Sequence, residues 1–200
     1  APLASDAIFR IASMTKPITS LAAMMLVEAG QLRLDDRVSK YLPEFASVRV
    51  LTTFNEADGT FESRPPARPI TIRHLLTHTS GIAYGFVDAR LATIDNGKRT
   101  QAELPLLHDP GDRFTYGPGT AVLGNVIEKI TGRPLDEFFK TRIFGPLGMV
   151  DTSYTVPADK RDRVVTVHMR SDGALTERPN RPTIAGSVAG DGGLLSTAAD

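Results

Sequence analysis

The chain has 200 residues, of which 41% are hydrophobic and 6% aromatic, as is ordinary for a folded protein with a sizeable core. The chain has 23 basic residues (Lys and Arg) and 23 acidic residues (Asp and Glu). No basic run indicates a nucleic-acid or membrane-surface partner. The absence of cysteine excludes disulfides, thiolate catalysis and cysteine-ligated metals, but is compatible with either the cytoplasm or the periplasm. Since no stretch is long and apolar enough for a membrane span, we expect a soluble protein with a small or neutral substrate.

The first predicted elements are an extended run over residues 8–11 and an apolar helix that follows it directly. Ser13 and Lys16 lie three residues apart at the start of this helix, so their side chains project from the same face. A lysine beside a serine oxygen can activate that oxygen as a nucleophile. Pro17 fits the first turn, Gly30 suits the position just past the end, and the apolar residues between them predict a buried helix. The alternative is a helix-capping serine beside a solvated lysine, since Ser-x-x-Lys is common by chance.

Short elements and turns are predicted between residues 32 and 69. Acidic residues before position 37 can cap a short helix over residues 37–42, which Pro43 is expected to end. Weak alternation over residues 48–54, followed by an Asp58-Gly59 turn, predicts a hairpin. A proline-rich run at 64–69 indicates a linker.

Two histidines raise the question of a metal site. Thr71 is placed to cap a helix that extends to a break at residues 80–81, and this helix would carry His74 and His78 four residues apart. Such a pair can bind zinc, but neither the acidic residue of a His-Glu-x-x-His motif nor a third ligand is evident, so we expect no metal. We expect both histidines to hydrogen-bond loop backbone around residues 79–80.

The middle of the chain contains a segment of uncertain structure and two helices. Residues 82–107, which include Tyr84, are interpreted as a mobile segment above a site. Tyr116 lies just ahead of an amphipathic helix that ends at Gly132. A further helix is expected to end near residue 143, because Gly-Pro-Leu-Gly at 145–148 would break it.

Turns dominate the remainder of the chain. Ser-Asp-Gly at residues 171–173 predicts a second hairpin. The glycines at 186–193 predict a tight turn rather than a phosphate loop, because they lack a lysine and a strand context. Thr197 opens a pattern resembling a capping box, with Asp200 in place of the usual Glu or Gln. Because the chain stops where that helix should start, we expect a truncated sequence.

Seven motifs, in order along nearly the whole chain, resemble the serine hydrolases of the class C beta-lactamase superfamily, and within it the family VIII carboxylesterases. They read IFRIASMTKPIT at residues 8–19, LDDRVSKYLP at 34–43, IRHLLTHTSG at 72–81, FTY at 114–116, LGNVIEKITG at 123–132, PLGM at 146–149 and GGLLSTAAD at 192–200. Together they are far more specific than one Ser-x-x-Lys pattern.

The resemblance implies a fold as well as a family. That fold is α+β and beta-lactamase/transpeptidase-like, with an antiparallel sheet flanked by helices plus an all-helical domain. Residues 1–200 would then be one incomplete catalytic region, truncated at both ends. Within it, residues 1–45 would carry the nucleophile helix of the α/β domain and residues 70–150 most of the helical domain.

The resemblance also implies the catalytic residues, namely Ser13 as nucleophile, Lys16 as its partner and Tyr116 as the second basic group, with no cofactor. Free tyrosine and lysine have pKa values of about 10 and about 10.4, so neither is a base at neutral pH unless a neighbour shifts its pKa. Which of the two is the base is a property of the coupled pair that the sequence leaves open. The backbone N–H of Ser13 is the expected oxyanion donor.

Two departures from the superfamily pattern bear on the substrate. Pro118 stands where the beta-lactamases carry the Asn of Tyr-x-Asn, so no side-chain amide is offered there. The third motif, Lys-Thr-Gly or its Trp/His-Gly-Gly variants, is absent, and the similar residues 129–132 close a helix instead.

We therefore expect an enzyme that hydrolyses small short-chain or aromatic carboxylic esters. A beta-lactamase, a D-aminopeptidase or a DD-peptidase, which would cleave an amide, is the alternative enzyme. An inactive homologue that binds a ligand or a partner is the alternative from another class. The sequence does not indicate the acyl preference, the oligomeric state or the compartment.

Overall fold

The computed structural model describes residues 3–95, 97, 99–178 and 188–200. Its helices are α1 (Thr15–Glu28), α2 (Ile72–Leu76), α3 (Ala89–Ile94), α4 (Gly119–Thr131), α5 (Leu135–Phe139) and α6 (Gly145–Leu147). Its strands are β1 (Phe9–Arg10), β2 (Val50–Phe54), β3 (Phe61–Arg64), β4 (Val167–Ser171), β5 (Ala174–Arg178) and β6 (Leu195–Ser196). Single 3-10 turns include Ala12–Met14, Val38–Lys40, Pro43–Ala46 and Ala158–Arg163.

Helix α1 packs lengthwise against α4 and buries one side of its surface. Its side chains Ala22, Ala23 and Leu26 lie in the core. Leu21 and Met24 remain 45% and 43% exposed, so the prediction of a helix buried on most of its faces is wrong for this side. The reason is that α4 covers a single face of the helix. As predicted, α1 ends ahead of Gly30, which has a φ of 70°.

Helix α4 is the central element of the core. Its apolar stripe of Val122, Leu123, Val126 and Ile127 is buried, and both α1 and α2 pack against the helix. Gly132, with a φ of 65°, ends the helix in the left-handed conformation, as the sequence predicts.

The predicted break after residue 143 is absent from the structure. A π-helical turn at Lys140–Phe144 follows α5 directly, and α6 continues from Gly145 to Gly148, where φ is 69°. Pro146 is the second residue of α6, directly after this π turn.

The short-helix prediction at residues 37–42 is confirmed in part. A 3-10 turn forms at Val38–Lys40, but Pro43 opens a second 3-10 turn instead of ending the helix. Asp36 does not cap backbone there; its carboxylate accepts from the Tyr41 hydroxyl at 2.6 Å and from Lys40 Nζ at 2.9 Å.

Within the described ranges, the six strands form three antiparallel pairs. Strands β2 and β3 make the first predicted hairpin, with an irregular register between Leu51 and Thr53. Strands β4 and β5 make the second, where Asp172 and Gly173 both have positive φ, as a tight two-residue hairpin turn requires. Strands β1 and β6 join the two ends of the chain, with Phe9 opposite Ser196.

One large apolar core lies between α1, α2, α4 and α5, and a small cluster of Ile8, Val156 and Leu195 lies beneath the β1–β6 pair. The β1–β6 pair therefore anchors the start of α1 to the last described residues of the chain. None of the helices in the described ranges is long and apolar enough to cross a membrane.

Candidate active site

Ser13 lies in the 3-10 turn between β1 and α1, with its side chain exposed. The residue before it, Ala12, has a φ of 45°, a conformation that costs a non-glycine residue about 1–2 kcal/mol. One side of this turn is held just after β1, because Ile11 N donates to Leu194 O at 3.0 Å. The strained turn thus presents the serine oxygen to solvent ahead of the α1 N-terminus, the positive end of the helix dipole.

Lys16 is buried below Ser13, with 7% of its surface exposed. Its Nζ donates to three oxygens: Ser13 Oγ at 3.1 Å, the Tyr84 hydroxyl at 3.2 Å and the main-chain oxygen of Asp191 at 2.8 Å. An ammonium group has three protons, so these three acceptors satisfy the charged form of Lys16 completely.

Tyr116 approaches Ser13 from the segment that leads into α4. Its hydroxyl donates to Ser13 Oγ at 2.7 Å, and Lys16 Nζ lies 4.9 Å from the centre of its ring. Interaction with Lys16, and secondly with the Ser13 hydroxyl, lowers the pKa of the Tyr116 phenol below its usual 10. The structure thus brings the three predicted site residues into direct contact.

Gly117 allows this approach. A Cβ at Gly117 would lie 2.1 Å from the Ile82 oxygen and 2.7 Å from Ala83 Cα, so a side chain there would push the two segments apart. The chain at 82–84 and the chain at 116–117 are therefore in backbone contact, which places Tyr84 beside Tyr116.

Tyr84 belongs to the segment that was predicted to lie above a site, but no catalytic or positioning role was predicted for it. Its hydroxyl donates to Asp191 Oδ2 at 2.5 Å and accepts from Lys16, and its ring lies 5.4 Å from that of Tyr116. Burial and, secondly, the hydrogen bond to Asp191 raise the pKa of the Tyr84 phenol well above its usual 10. The only signal in the sequence was its position shortly after the motif at residues 72–81.

Asp191 was also missed, although the tight turn that carries it was predicted and is present in the described residues 188–193. Gly186 lies outside the described residues. Two threonines of α1 hold this turn: Thr19 Oγ1 donates to Gly190 O at 2.6 Å, and Thr15 Oγ1 accepts from Leu194 N at 3.3 Å.

The two histidines do not behave as predicted. His74 Nδ1 accepts from Thr71 N at 3.2 Å, completing a capping box at the start of α2 rather than bonding backbone around residues 79–80. Helix α2 ends before His78, whose φ is 55° and whose ring packs on Phe114 and Tyr116. Burial and the charge of Lys16 lower the pKa of His78. Over the described ranges, no group of three or more His, Cys, Asp or Glu side chains is arranged to hold a metal ion.

The two departures from the superfamily pattern have structural counterparts. Pro118 is the N-cap of α4 and offers no side-chain hydrogen bond. Residues 129–132 form the C-terminal end of the same helix, as predicted.

A serine oxygen that is exposed to solvent and held between a buried ammonium and a phenol is suited to nucleophilic chemistry. The beta-lactamase family model matches residues 1–200, the whole of the chain. The chain belongs to the beta-lactamase family. The predicted resemblance to the serine hydrolases of the beta-lactamase superfamily and the beta-lactamase/transpeptidase-like α+β fold are thereby confirmed.

Relatives of this beta-lactamase family chain include both hydrolases and a synthase. Lovastatin esterase of Penicillium rubens is 40% identical over 187 residues, covering 87% of this chain and 47% of that protein. Simvastatin synthase (LovD) of Aspergillus terreus superposes with a TM-score of 0.86 at 30% identity, covering 98% of this chain and 52% of that one. EstCE1, a hydrolase with promiscuous acyltransferase activity, superposes with a TM-score of 0.81 at 26% identity, covering 99% of this chain and 57% of that one. The chain spans about half the length of the curated relatives it matches.

Proposed function

We propose that the protein is a serine hydrolase that cleaves small carboxylic esters through an acyl-enzyme on Ser13. The observation that carries this proposal is the position of Ser13 Oγ, 2.7 Å from the Tyr116 hydroxyl and 3.1 Å from Lys16 Nζ. Both distances permit direct proton exchange or charge stabilisation at the nucleophile. Relatives named as esterases agree with this reaction class.

In the proposed first half-reaction, Tyr116 acts as the general base in its phenolate form. The Ser13 proton passes to Tyr116 as Ser13 Oγ attacks the ester carbonyl carbon, and the carbonyl oxygen becomes an oxyanion that the Ser13 N–H stabilises. The tetrahedral intermediate then collapses, the bond to the alcohol oxygen breaks, and Tyr116 returns the proton to the departing alcohol. Lys16 remains an ammonium and stabilises the negative charge on its neighbours.

In the second half-reaction a water molecule replaces the alcohol. Tyr116 accepts a proton from the water, whose oxygen attacks the acyl carbon, and the proton then returns to Ser13 as the acid leaves. The lowered pKa of Tyr116 supports its assignment as the base, since a phenol ionising closer to neutral pH is a more populated phenolate.

Acyl transfer to an alcohol other than water is a second candidate function. The structural similarity to EstCE1 and to simvastatin synthase favours it. The two functions share the same acyl-enzyme and differ in the acceptor of the second half-reaction. Cleavage of a beta-lactam or of a D-amino-acid amide is less well supported, because Pro118 supplies no amide to such a substrate.

The test is the hydrolysis of p-nitrophenyl acetate and butyrate, with nitrocefin alongside, by the natural protein at full length. Ser13→Ala should abolish ester turnover, whereas Ser20→Ala, the same change later in α1, should leave it intact. Added alcohol measures the share of acyl transfer. Equal activity in the wild type and in Ser13→Ala, or no activity in either, would refute the proposal and favour a protein that binds a ligand without chemistry.

A further inference from the structure

Two tyrosines contact the Lys16–Ser13 pair, and their hydroxyl groups have different partners. The Tyr116 hydroxyl faces Ser13 Oγ at 2.7 Å, whereas the Tyr84 hydroxyl faces the carboxylate of Asp191 at 2.5 Å. A carboxylate accepts hydrogen bonds and cannot donate them, so this short bond requires that Tyr84 keeps its proton.

The remaining bonds of the cluster follow from that requirement. Because the Tyr84 proton points at Asp191, a lone pair of its oxygen is available to Lys16 Nζ, which donates to it at 3.2 Å. Lys16 also donates to the main-chain oxygen of Asp191 at 2.8 Å. Asp191 therefore holds Lys16 twice, once directly through its backbone and once through Tyr84, and the third Lys16 proton is directed at Ser13.

The turn that carries Asp191 is fixed in place by the rest of the fold. Thr19 Oγ1 binds Gly190 O at 2.6 Å. A Cβ at Gly190 would lie 2.3 Å from the Thr120 oxygen, so the turn is in backbone contact with α4. The backbone of the turn that carries Asp191 is consequently held by both long helices, and this fixes the point from which the Asp191 carboxylate reaches Tyr84.

We propose that Asp191 is a positioning residue which, acting through Tyr84, fixes the Lys16 ammonium on the Ser13 oxygen and leaves Tyr116 as the phenol that exchanges a proton with Ser13. This assignment depends on the ester hydrolysis proposed above. It explains why two phenols beside one lysine have different roles. The Tyr84 hydroxyl donates its proton to a carboxylate, whereas the Tyr116 hydroxyl faces Ser13 Oγ. The opposite pKa shifts of the two phenols agree with this division.

The experiment compares Asp191→Asn and Tyr84→Phe in the natural protein at full length. Tyr84→Phe removes the hydroxyl that joins Lys16 to Asp191, so kcat/KM for p-nitrophenyl butyrate should fall by about 10- to 100-fold. Asp191→Asn keeps an oxygen that can accept from Tyr84 but removes the negative charge, so the expected fall is about 10-fold. KM should change by less than about threefold, since neither side chain is assigned to bind the ester. Because Asp191 is proposed to act through Tyr84, the double variant should be no slower than Tyr84→Phe alone, within about twofold.

The chain offers a matched control elsewhere in the fold. Tyr41, Asp36 and Lys40 form a second Tyr–Asp–Lys cluster, with Tyr41 OH 2.6 Å from Asp36. Tyr41→Phe removes the same kind of bond outside the site, and its kcat/KM should stay within about twofold of the wild type. Urea unfolding of every variant separates a loss of activity from a loss of fold.

Three results would contradict the proposal, and they differ in what else they overturn. Asp191→Asn that is folded and as active as Tyr41→Phe would overturn the positioning role while leaving the esterase function standing. A double variant at least 10-fold slower than Tyr84→Phe would show that Asp191 acts independently of Tyr84, and would also overturn the positioning role. A wild type without Ser13-dependent turnover would refute the esterase function itself, and the positioning role with it.

Discussion

Replacing Thr19 by valine tests whether the turn at Gly190–Asp191 is held by α1. The Thr19 side chain is fully buried, and its hydroxyl makes a 2.6 Å hydrogen bond to Gly190 O. Valine has nearly the same shape, so the main change is the loss of that bond and an acceptor left buried without it. This costs about 1–3 kcal/mol of the free energy of unfolding. The measurement is the urea midpoint at an unchanged slope.

Thr120 is buried as deeply as Thr19, and its hydroxyl allows the opposite test. It is 1% exposed, and within the described part of the chain its Oγ1 has no hydrogen-bond partner. Thr120→Val should therefore leave the free energy of unfolding unchanged or raise it by about 1 kcal/mol, because an unsatisfied buried hydroxyl is removed. A loss of stability in Thr120→Val as large as that in Thr19→Val would contradict this expectation.

Three further predictions concern the site and its surroundings. Tyr116→Phe should lower kcat/KM for p-nitrophenyl butyrate by about 10²- to 10⁴-fold. In the wild type kcat/KM should rise with pH through an apparent pKa below the 10 of free tyrosine, because the pKa of Tyr116 is lowered, and a pH-independent rate would contradict this. Gly117→Ala should cost about 1–3 kcal/mol in urea unfolding and most of the ester turnover, since its Cβ would lie 2.1 Å from the Ile82 oxygen. Asp151, whose pKa Arg163 lowers to about 2, should contribute stability that is complete above about pH 4 and is lost as the pH falls towards 2. Urea midpoints across that range should fall less for Asp151→Asn than for the wild type.

Features encoded within a few residues were predictable from the sequence. The three-residue spacing of Ser13 and Lys16 places both side chains on one face, and Gly132 marks the end of α4 through its need for a positive φ. The first hairpin follows from weak alternation and an Asp-Gly turn, and the second from its Ser-Asp-Gly turn. In each case the determinant lies inside the element itself.

Apart from Tyr116, which the family resemblance implied, the features that depend on distant contacts were not predictable. Tyr84 and Asp191 are 107 residues apart, and nothing local to either residue indicates that they meet. His78 was expected to continue α2, but tertiary packing against Phe114 and Tyr116 accompanies its positive φ. The helix at 135–147 continues through the Gly-Pro pair at 145–146, and a π turn directly precedes that pair. Helix propensities read from the sequence do not predict such a turn.

The sequence separations within the site have a consequence for how the protein folds. Ser13 contacts Tyr116 across 103 residues, and Lys16 contacts Asp191 across 175. Contacts of such high contact order form slowly, because the entropy of closing a long loop must be overcome before the contact stabilises the chain. Helix α1 can form early with Ser13 and Lys16 already in register. In a refolding experiment the helical circular dichroism signal should therefore recover first, and the active arrangement around Ser13 should be among the last parts of the molecule to assemble.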